Sequence, residues 1–288
     1  MACDLQQFVN REALIDAFHG LLTHPRRRLL LVEGPAGIGK SCLLWQLRHL
    51  CRAGGGTPLF VDLADPRLVA PESLIGAFGA QLGTTFDDPE PTPAGLLGSL
   101  ATTRGGVTIS GSANVGGDVV GGDKITINNS SVVVRLGGGI EMALENHRAR
   151  LELALRRALI ERLRDRPLVV LLDHLSKEPG QQATAEVTQW LRYSLIAWLL
   201  EEPEAFANLR LVVAGRQPPF ESDVEQWRYL AGSEVVRPLL PEAVRQFWVD
   251  RRRLDETHLP GFIEVSGGNP GLLFLMANNS EAARRKMA

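Results

Sequence analysis

The stretch Gly34-Pro35-Ala36-Gly37-Ile38-Gly39-Lys40-Ser41 restricts the folds open to this chain more than any other. It follows the apolar run Leu29-Leu30-Leu31-Val32 and precedes a helix-forming run from Cys42 to Leu50. Buried strand, glycine-rich loop and helix in that order satisfy the GxxxxGK[ST] pattern in the context that gives it meaning. Glycine lets backbone N–H groups turn around a polyphosphate without a Cβ in the way, and the helix points its positive dipole end at the same anion. Lys40 then reaches the β- and γ-phosphates as a point charge, and the Ser41 hydroxyl suits Mg2+. An ordinary glycine-rich turn accounts for fewer of these features together. The expectation is a nucleotide site lined by Gly34, Pro35, Ala36, Gly37, Ile38, Gly39, Lys40, Ser41 and Cys42.

The rest of the composition narrows the setting. With 288 residues, 44% hydrophobic and 22% charged, the chain can bury a full core as one large domain or two smaller ones. A formal net charge of −2 gives no global reason to bind nucleic acid or acidic membranes. The local cluster Arg26-Arg27-Arg28 reads as a solvated loop before a strand. Three cysteines (Cys3, Cys42, Cys51) show no metal-ligand spacing, and their odd number argues against a disulfide framework. Cys42 beside the loop reads as a small packed residue. No secretory plan opens the chain and no apolar run reaches bilayer length. A reducing, cytoplasmic location is expected.

Hydrophobic periodicity lays out the elements. A helix is predicted over Arg11 to Leu22, with Leu14, Ile15, Phe18 and Leu22 on one face. Strands are predicted near Arg28–Glu33, Pro58–Asp62, Pro167–Asp173, Leu209–Ala214 and Glu234–Val236. Helices are predicted at Pro71–Leu82, Ile140–Arg164 and Ala183–Leu200, and from Pro241 onward the pattern is helical. Strands alternating with helices predict an α/β fold with a parallel sheet covered on both faces and a small helical lid.

Thr103 to Gly139 breaks this rhythm. Two successive pentads end in Gly-Gly-Asp, and Val115, Val120 and Ile125 recur every five residues. The glycines exclude helix, while β-branched residues between turn-formers favour short strands. Asn128-Asn129-Ser130-Ser131 predicts a hairpin turn between Ile125–Ile127 and Val132–Val134. Strands this short must pack on something. Three readings stand: pairing with the same segment of other subunits, a decorated loop, or an amyloid-type signalling segment, which abundant glycine disfavours.

Asp173, ending an apolar strand downstream of the loop, suits the second Mg2+ element. The next position in hydrolases of this kind holds an acid that polarises the attacking water. Here it is His174, a hydrogen-bond acceptor when neutral but no fixed negative charge. Slow hydrolysis, or binding without appreciable turnover, is expected. Arg216, just past Leu209–Ala214, is placed to sense a γ-phosphate, or else simply ends a strand at the surface.

Phe8-Val9-Asn10-Arg11-Glu12, the phosphate loop, Leu171-Leu172-Asp173, Val212-Val213-Ala214-Gly215-Arg216 and Gly267-Gly268-Asn269-Pro270 together resemble the STAND class of P-loop NTPases. That class includes NB-ARC and NACHT proteins and the ATPase modules of LuxR-type regulators. The resemblance implies a sheet order of 5-1-4-3-2 and ATP/ADP with Mg2+ as ligands. It places Val9 and Arg11 near adenine and ribose, Lys40 and Ser41 on phosphate and metal, and Asp173 completing the metal site. It makes Arg216 the first sensor, and Pro270 the lid residue against the base. The chain departs from the class at His174, and the eighteen residues after Pro270 are too few for a winged helix or sensor repeats, so none is expected here. The expected organisation is residues 1–102 and 140–237 as the two halves of the core, 103–139 as an insert, and 238–288 as the lid.

The expected function is therefore an ATP-binding assembly and signalling switch with slow or no hydrolysis, in a setting such as bacterial conflict or defence. Sensing or output would belong to a separate protein, and self-assembly to residues 103–139. An active ATPase remodelling a partner, or a nucleotide-free scaffold, are the alternatives. Deleting Thr103–Gly139 is expected to lower the mass measured by light scattering; an unchanged mass removes the assembly role.

Overall fold

The computed structural model describes residues 11–68, 70–84, 86, 102–103, 106–107, 124–128, 131–135, 138–175, 185–216 and 229–287. The chain divides into two compact units, Met1–Ala77 with Leu159–Ala288, and Phe78–Ala158. The first unit holds five strands: β1 (Leu29–Glu33), β2 (Thr57–Asp62), β3 (Leu168–Asp173), β4 (Leu209–Gly215) and β5 (Ala231–Val235). All pair in parallel, in the order β2-β3-β4-β1-β5. Read from the other edge this is 5-1-4-3-2, the order that the family resemblance implies.

Burial follows position in the sheet. Every residue of the central strands β3 and β4 is buried, whereas the edge strand β5 carries no buried residue. A strand covered on both faces must be apolar throughout, which is why Leu168–Asp173 reads as an unbroken apolar run. The fifth strand lies earlier than the pattern suggests, at Ala231–Val235 rather than Glu234–Val236. Register with β1 overrides the weak strand propensity of Ala231 and Gly232. Val236, just beyond it, still donates its N–H to Glu33 O at 2.7 Å.

Helices α1 (Glu12–Thr23) and α2 (Lys40–Ala53) pack on one face of the sheet. Leu14, Phe18 and Leu21 of α1 and Leu43, Leu44, Leu47 and Cys51 of α2 meet Leu30, Val32, Val169, Leu171, Val212 and Ala214 in one cluster. Each full burial of a Leu- or Phe-sized side chain contributes about 1.5–3 kcal/mol, so this cluster fixes where the phosphate loop leaves the sheet. Leu74 and Ile75 of α3 (Pro71–Leu82) are also buried, as are Leu159 and Leu163 of α4 (Gly138–Asp165). The next helix, α5, runs Ala185–Trp190, passes through a π turn at Leu191–Ile196 and ends as Ala197–Glu201.

The lid follows β5: α6 (Pro241–Arg245, continued as a π turn over Gln246–Arg251), α7 (Leu259–Ser266) and α8 (Pro270–Met287). Its own core joins Leu239, Val244, Phe247, Trp248, Leu254, Leu259 and Leu273. Trp248 is fully buried, and its indole N–H is satisfied by Asp255 O at 3.0 Å. The second unit contains an antiparallel hairpin in which Lys124–Asn128 pairs with Ser131–Arg135, Ile125 opposite Val134 and Ile127 opposite Val132. The Gly-Gly-Asp pentads lie outside the described residues.

One basic residue is not where the sequence suggests. Arg26 and Arg27 are exposed, but Arg28 is buried beside Arg210. Arg210 donates to the carbonyls of Leu21, Ala207 and Leu209 at 2.7–3.0 Å, so the last turn of α1 receives its charge. Arg28 Nε and Nη1 find no acceptor. Burial lowers the pKa of both guanidinium groups, and the charge of Arg28 lowers that of Arg210 further. Replacing even a buried ion pair by apolar groups of similar volume is often neutral or stabilising by about 1–4 kcal/mol, and a buried guanidinium with orphaned N–H groups has less to lose. Arg28→Met keeps the backbone bonds to Leu230 and Leu211, and its urea midpoint is expected to rise; a fall would show that the charge is compensated.

Candidate nucleotide-binding site

The phosphate loop leaves β1 at Glu33 and enters α2 at Lys40. Along it, six consecutive carbonyl oxygens accept hydrogen bonds from the protein itself. Lys40 Nζ donates to Gly34 O at 2.6 Å and to Pro35 O at 2.9 Å. Asn269 Nδ2 donates to Ala36 O at 3.2 Å, and the Gly271 N–H to Gly37 O at 2.9 Å. Arg11 Nη2 donates to Ile38 O at 3.0 Å, and the Leu43 N–H to Gly39 O at 2.9 Å. No cis peptide bond occurs among the described residues. In a trans peptide the N–H points opposite to the C=O, so carbonyls drawn into the protein turn the following amides the other way. Such a row of amides is an anion nest.

Backbone conformation enforces the arrangement. Gly37 has a φ of 74° and Gly39 one of 98°, values that L side chains rarely adopt. A Cβ at Gly37 would sit 2.9 Å from Asn269 Oδ1. Gly39 is also the N-cap of α2 and has no side chain to satisfy the first-turn amides. Those amides and the helix dipole remain directed at the loop. Donor set and conformation together fit a polyphosphate.

The sheet edge adds the charges. Asp173 ends β3 and is only 2% exposed. Burial lowers the pKa of Lys40, Asp173 raises it, and Arg216 lowers it again. The three residues therefore lie within one electrostatic neighbourhood. Ser41, half-buried at the start of α2, and Asp173 are the residues that would hold Mg2+. His174 follows with a φ of 62°, and its Nδ1 is 2.7 Å from Asp62 Oδ1. Asp62, the last residue of β2, was not among the candidates; its only sequence signal is that β2, like β3, is an apolar run ending in Asp.

The glycine-rich turn of the lid has a backbone reason at each position. Gly267, with a φ of 54°, closes α7, and a Cβ at Gly268 would run into Leu239 O. Asn269 caps α8, accepting from the N–H groups of Gly271 and Leu272, and Pro270 starts that helix. The capping carboxamide turns its free Nδ2 to Ala36, so one side chain both starts α8 and holds the loop. Pro270 Cγ lies 3.9 Å from where a Cβ on Gly39 would be, which sets the proline over the loop.

Two candidates take unexpected places. Arg11 is buried, and its guanidinium bridges Ile38 O and Arg237 O, tying the loop to the entrance of the lid. Burial lowers its pKa, with Glu12 opposing. Cys42 is disulfide-bonded, correcting the expectation of a merely packed thiol and of no bridge. Cys51 is free, and burial pushes its thiol up to about 11, so it is protonated and inert at neutral pH. Val9 and Cys3 lie outside the described residues.

An all-parallel sheet with a glycine-rich loop between its first strand and a following helix, and an aspartate ending a neighbouring strand, defines a P-loop NTPase. The AAA ATPase domain family matches residues 7–213, most of the chain, and the chain belongs to that family. No curated protein matches it significantly. Among solved structures, AMPPCP-bound DnaA from Aquifex aeolicus is similar over 94% of this chain and 62% of its own, with 10% identity and a TM-score of 0.45. A DNA replication initiation factor is similar over 99% of this chain and 68% of its own, with 9% identity and a TM-score of 0.44.

Gly37→Ala is expected to lower stability by about 1–2 kcal/mol through its left-handed φ, and to weaken MgATP binding by displacing Asn269. Gly54 has a φ of −80° and only ordinary contacts for an added Cβ. Gly54→Ala is therefore expected to be neutral or to stabilise by about 0.4–1 kcal/mol. Chemical denaturation of both variants checks the contrast.

Proposed function

We propose that this chain is an ATP-binding switch of the STAND type, in which filling the phosphate loop sets the position of the helical lid, with slow hydrolysis resetting it. The observation that carries this reading is the clasp of Asn269 and Gly271 on the carbonyls of Ala36 and Gly37. A triphosphate drawing the amides of this loop inward also fixes the carbonyls that the lid holds. Loop occupancy and lid position then share the same peptide groups, which is the differential contact a switch requires.

The chain's own residues divide the remaining work. The amides of residues 36 to 40 and the Lys40 ammonium bind the β- and γ-phosphates. Lys40 leaves the carbonyls of Gly34 and Pro35 to do so. Ser41 and Asp173 orient Mg2+, which, when bound, neutralises charge that develops on the transferring phosphoryl group. Arg216, close enough to affect Lys40, distinguishes triphosphate from diphosphate by its interaction with the third phosphate. His174, in place of an acid, keeps turnover slow. Assembly through residues 103–139, where the hairpin Lys124–Arg135 offers β-branched strands, is the output we assign to the switch.

Calorimetry and hydrogen exchange test the reading. Lys40→Ala is expected to abolish MgATP binding, with a loss of at least ~100-fold, about 2.7 kcal/mol. Asn269→Ala is expected to bind MgATP within roughly tenfold of wild type. In wild type, a slowly hydrolysed analogue should raise amide protection in α7 and α8; in Asn269→Ala that response should shrink. Unchanged lid protection in wild type removes the switch, and undiminished affinity in Lys40→Ala removes the nucleotide site.

A further inference from the structure

Strands β2 and β3 end side by side, with Asp62 and Asp173 as register partners. Two carboxylates therefore stand at adjacent strand ends, on the edge where Lys40 enters α2. His174 comes next in a left-handed conformation, φ 62°, which is uncommon for a residue with a side chain and concentrates at functional sites. In that conformation its N–H donates to Asp173 Oδ1 at 2.9 Å. Its Nδ1 is 2.7 Å from Asp62 Oδ1 and 3.6 Å from Asp173 Oδ2. The shorter contact falls within hydrogen-bond range and the longer one does not. Asp62 Oδ1 also accepts the N–H of Ala64 at 2.9 Å, an Asx turn that fixes the carboxylate.

We propose that Asp62 is a positioning residue for nucleotide hydrolysis, supplying through His174 the carboxylate that position 174 lacks. An ionised carboxylate only accepts, so Nδ1 must donate to Asp62. In the neutral ring Nε2 is then the acceptor left to align the attacking water. The division of labour follows from distance and burial: Asp173, 2% exposed, is kept for the metal, while Asp62, about half exposed, orients the ring. A third group that fixes an imidazole's tautomer is a recurrent way of organising a nucleophile. In the step itself, the water oxygen bonds to the γ-phosphorus as the bond to the β,γ-bridging oxygen breaks. The products are ADP and inorganic phosphate, and the water proton leaves with the phosphate, so His174 aligns the water without keeping its proton. Solvent exposure of both side chains keeps this device weak, in line with slow turnover.

The proposal rests on the reading of the loop as an ATP site, and the experiment separates the two. Phosphate release, MgATP calorimetry and long-range 1H–15N histidine spectra are measured on the full chain for wild type, Asp62→Ala, His174→Ala and the double variant. Asp62→Ala and His174→Ala are each expected to lower kcat roughly ten- to hundredfold, with KM within about twofold. The double variant should fall no further than His174→Ala. In nucleotide-free wild type, the ring signal that His174→Ala removes should report a proton on Nδ1, and Asp62→Ala should move it to Nε2. If Asp62→Ala loses MgATP affinity, its kcat at saturating MgATP and the ring tautomer of its nucleotide-free chain are read instead. Wild-type kcat in the Asp62 variant, multiplicative losses in the double variant, or an unmoved tautomer overturns the proposal. A chain that binds MgATP but releases no phosphate also overturns it while leaving the ATP site standing; a chain that binds none overturns both.

Discussion

Peptide planarity makes the two sides of the phosphate loop mutually dependent. Each carbonyl from Gly34 to Gly39 has a donor within the protein, and from Pro35 onward each trans peptide then turns its N–H, at residues 36 to 40, to the opposite side. The donors come from far apart in sequence: Arg11, Lys40, Leu43, Asn269 and Gly271. Glycine at 37 and 39 is needed because the required φ values are positive. Arg11 is buried because only a long, forked donor reaches both Ile38 and Arg237 from α1. Anion binding at this loop is thus a consequence of how the surrounding fold uses its carbonyls.

Charge at the sheet edge is arranged on the same logic. Asp173 is almost wholly buried, and its Oδ1 accepts the His174 N–H. Lys40 is disfavoured by burial and by Arg216 but favoured by Asp173. A cation held between those influences, bonded only to carbonyls, gains from an anionic partner. Register, set by the β2–β3 ladder, decides which side chains share this edge. A slip of one residue would turn Asp62 to the other face and leave His174 without its 2.7 Å contact.

Legibility in the sequence followed the range of the interactions. The phosphate loop, α1 and the strands ending at Asp173 and Gly215 are local patterns of periodicity and turn chemistry, and the folded chain keeps them. The nearness of Lys40, Asp173 and Arg216 followed once the parallel order was known. Asp62 was hidden because its role depends on a pairing between segments that are 112 positions apart at His174. Arg28 stands in a basic cluster that looks solvated, yet its backbone bonds to Leu230 and Leu211 draw it into the sheet, and its side chain is buried beside Arg210. Asn269 reads as part of a glycine-rich turn. Its second function, holding Ala36, needs a contact across 233 positions that no local pattern encodes. The bridge at Cys42 is of the same kind, since an odd cysteine count says nothing about which sulfurs approach each other.

The clasp between lid and loop also has a strength suited to the proposed switch. It consists of the Asn269–Ala36 bond and the Gly271 N–H, which is shared between Gly37 O and Asn269 Oδ1, both at 2.9 Å. A net contribution of about 1 kcal/mol per bond puts the clasp at roughly 1–2 kcal/mol, since a shared donor counts for less than two. Moving an equilibrium from one part in a hundred to its inverse takes about 5.5 kcal/mol. In the proposed switch, only the part of triphosphate binding that differs between lid positions counts toward that figure, and the clasp alone does not reach it. The lid's own core, built on Trp248, Phe247 and Leu273, keeps it intact as a body whichever way the clasp stands. A weak clasp and strong packing within the lid are the combination that the proposed switch requires, since a ligand can then bias the lid's position without unfolding it.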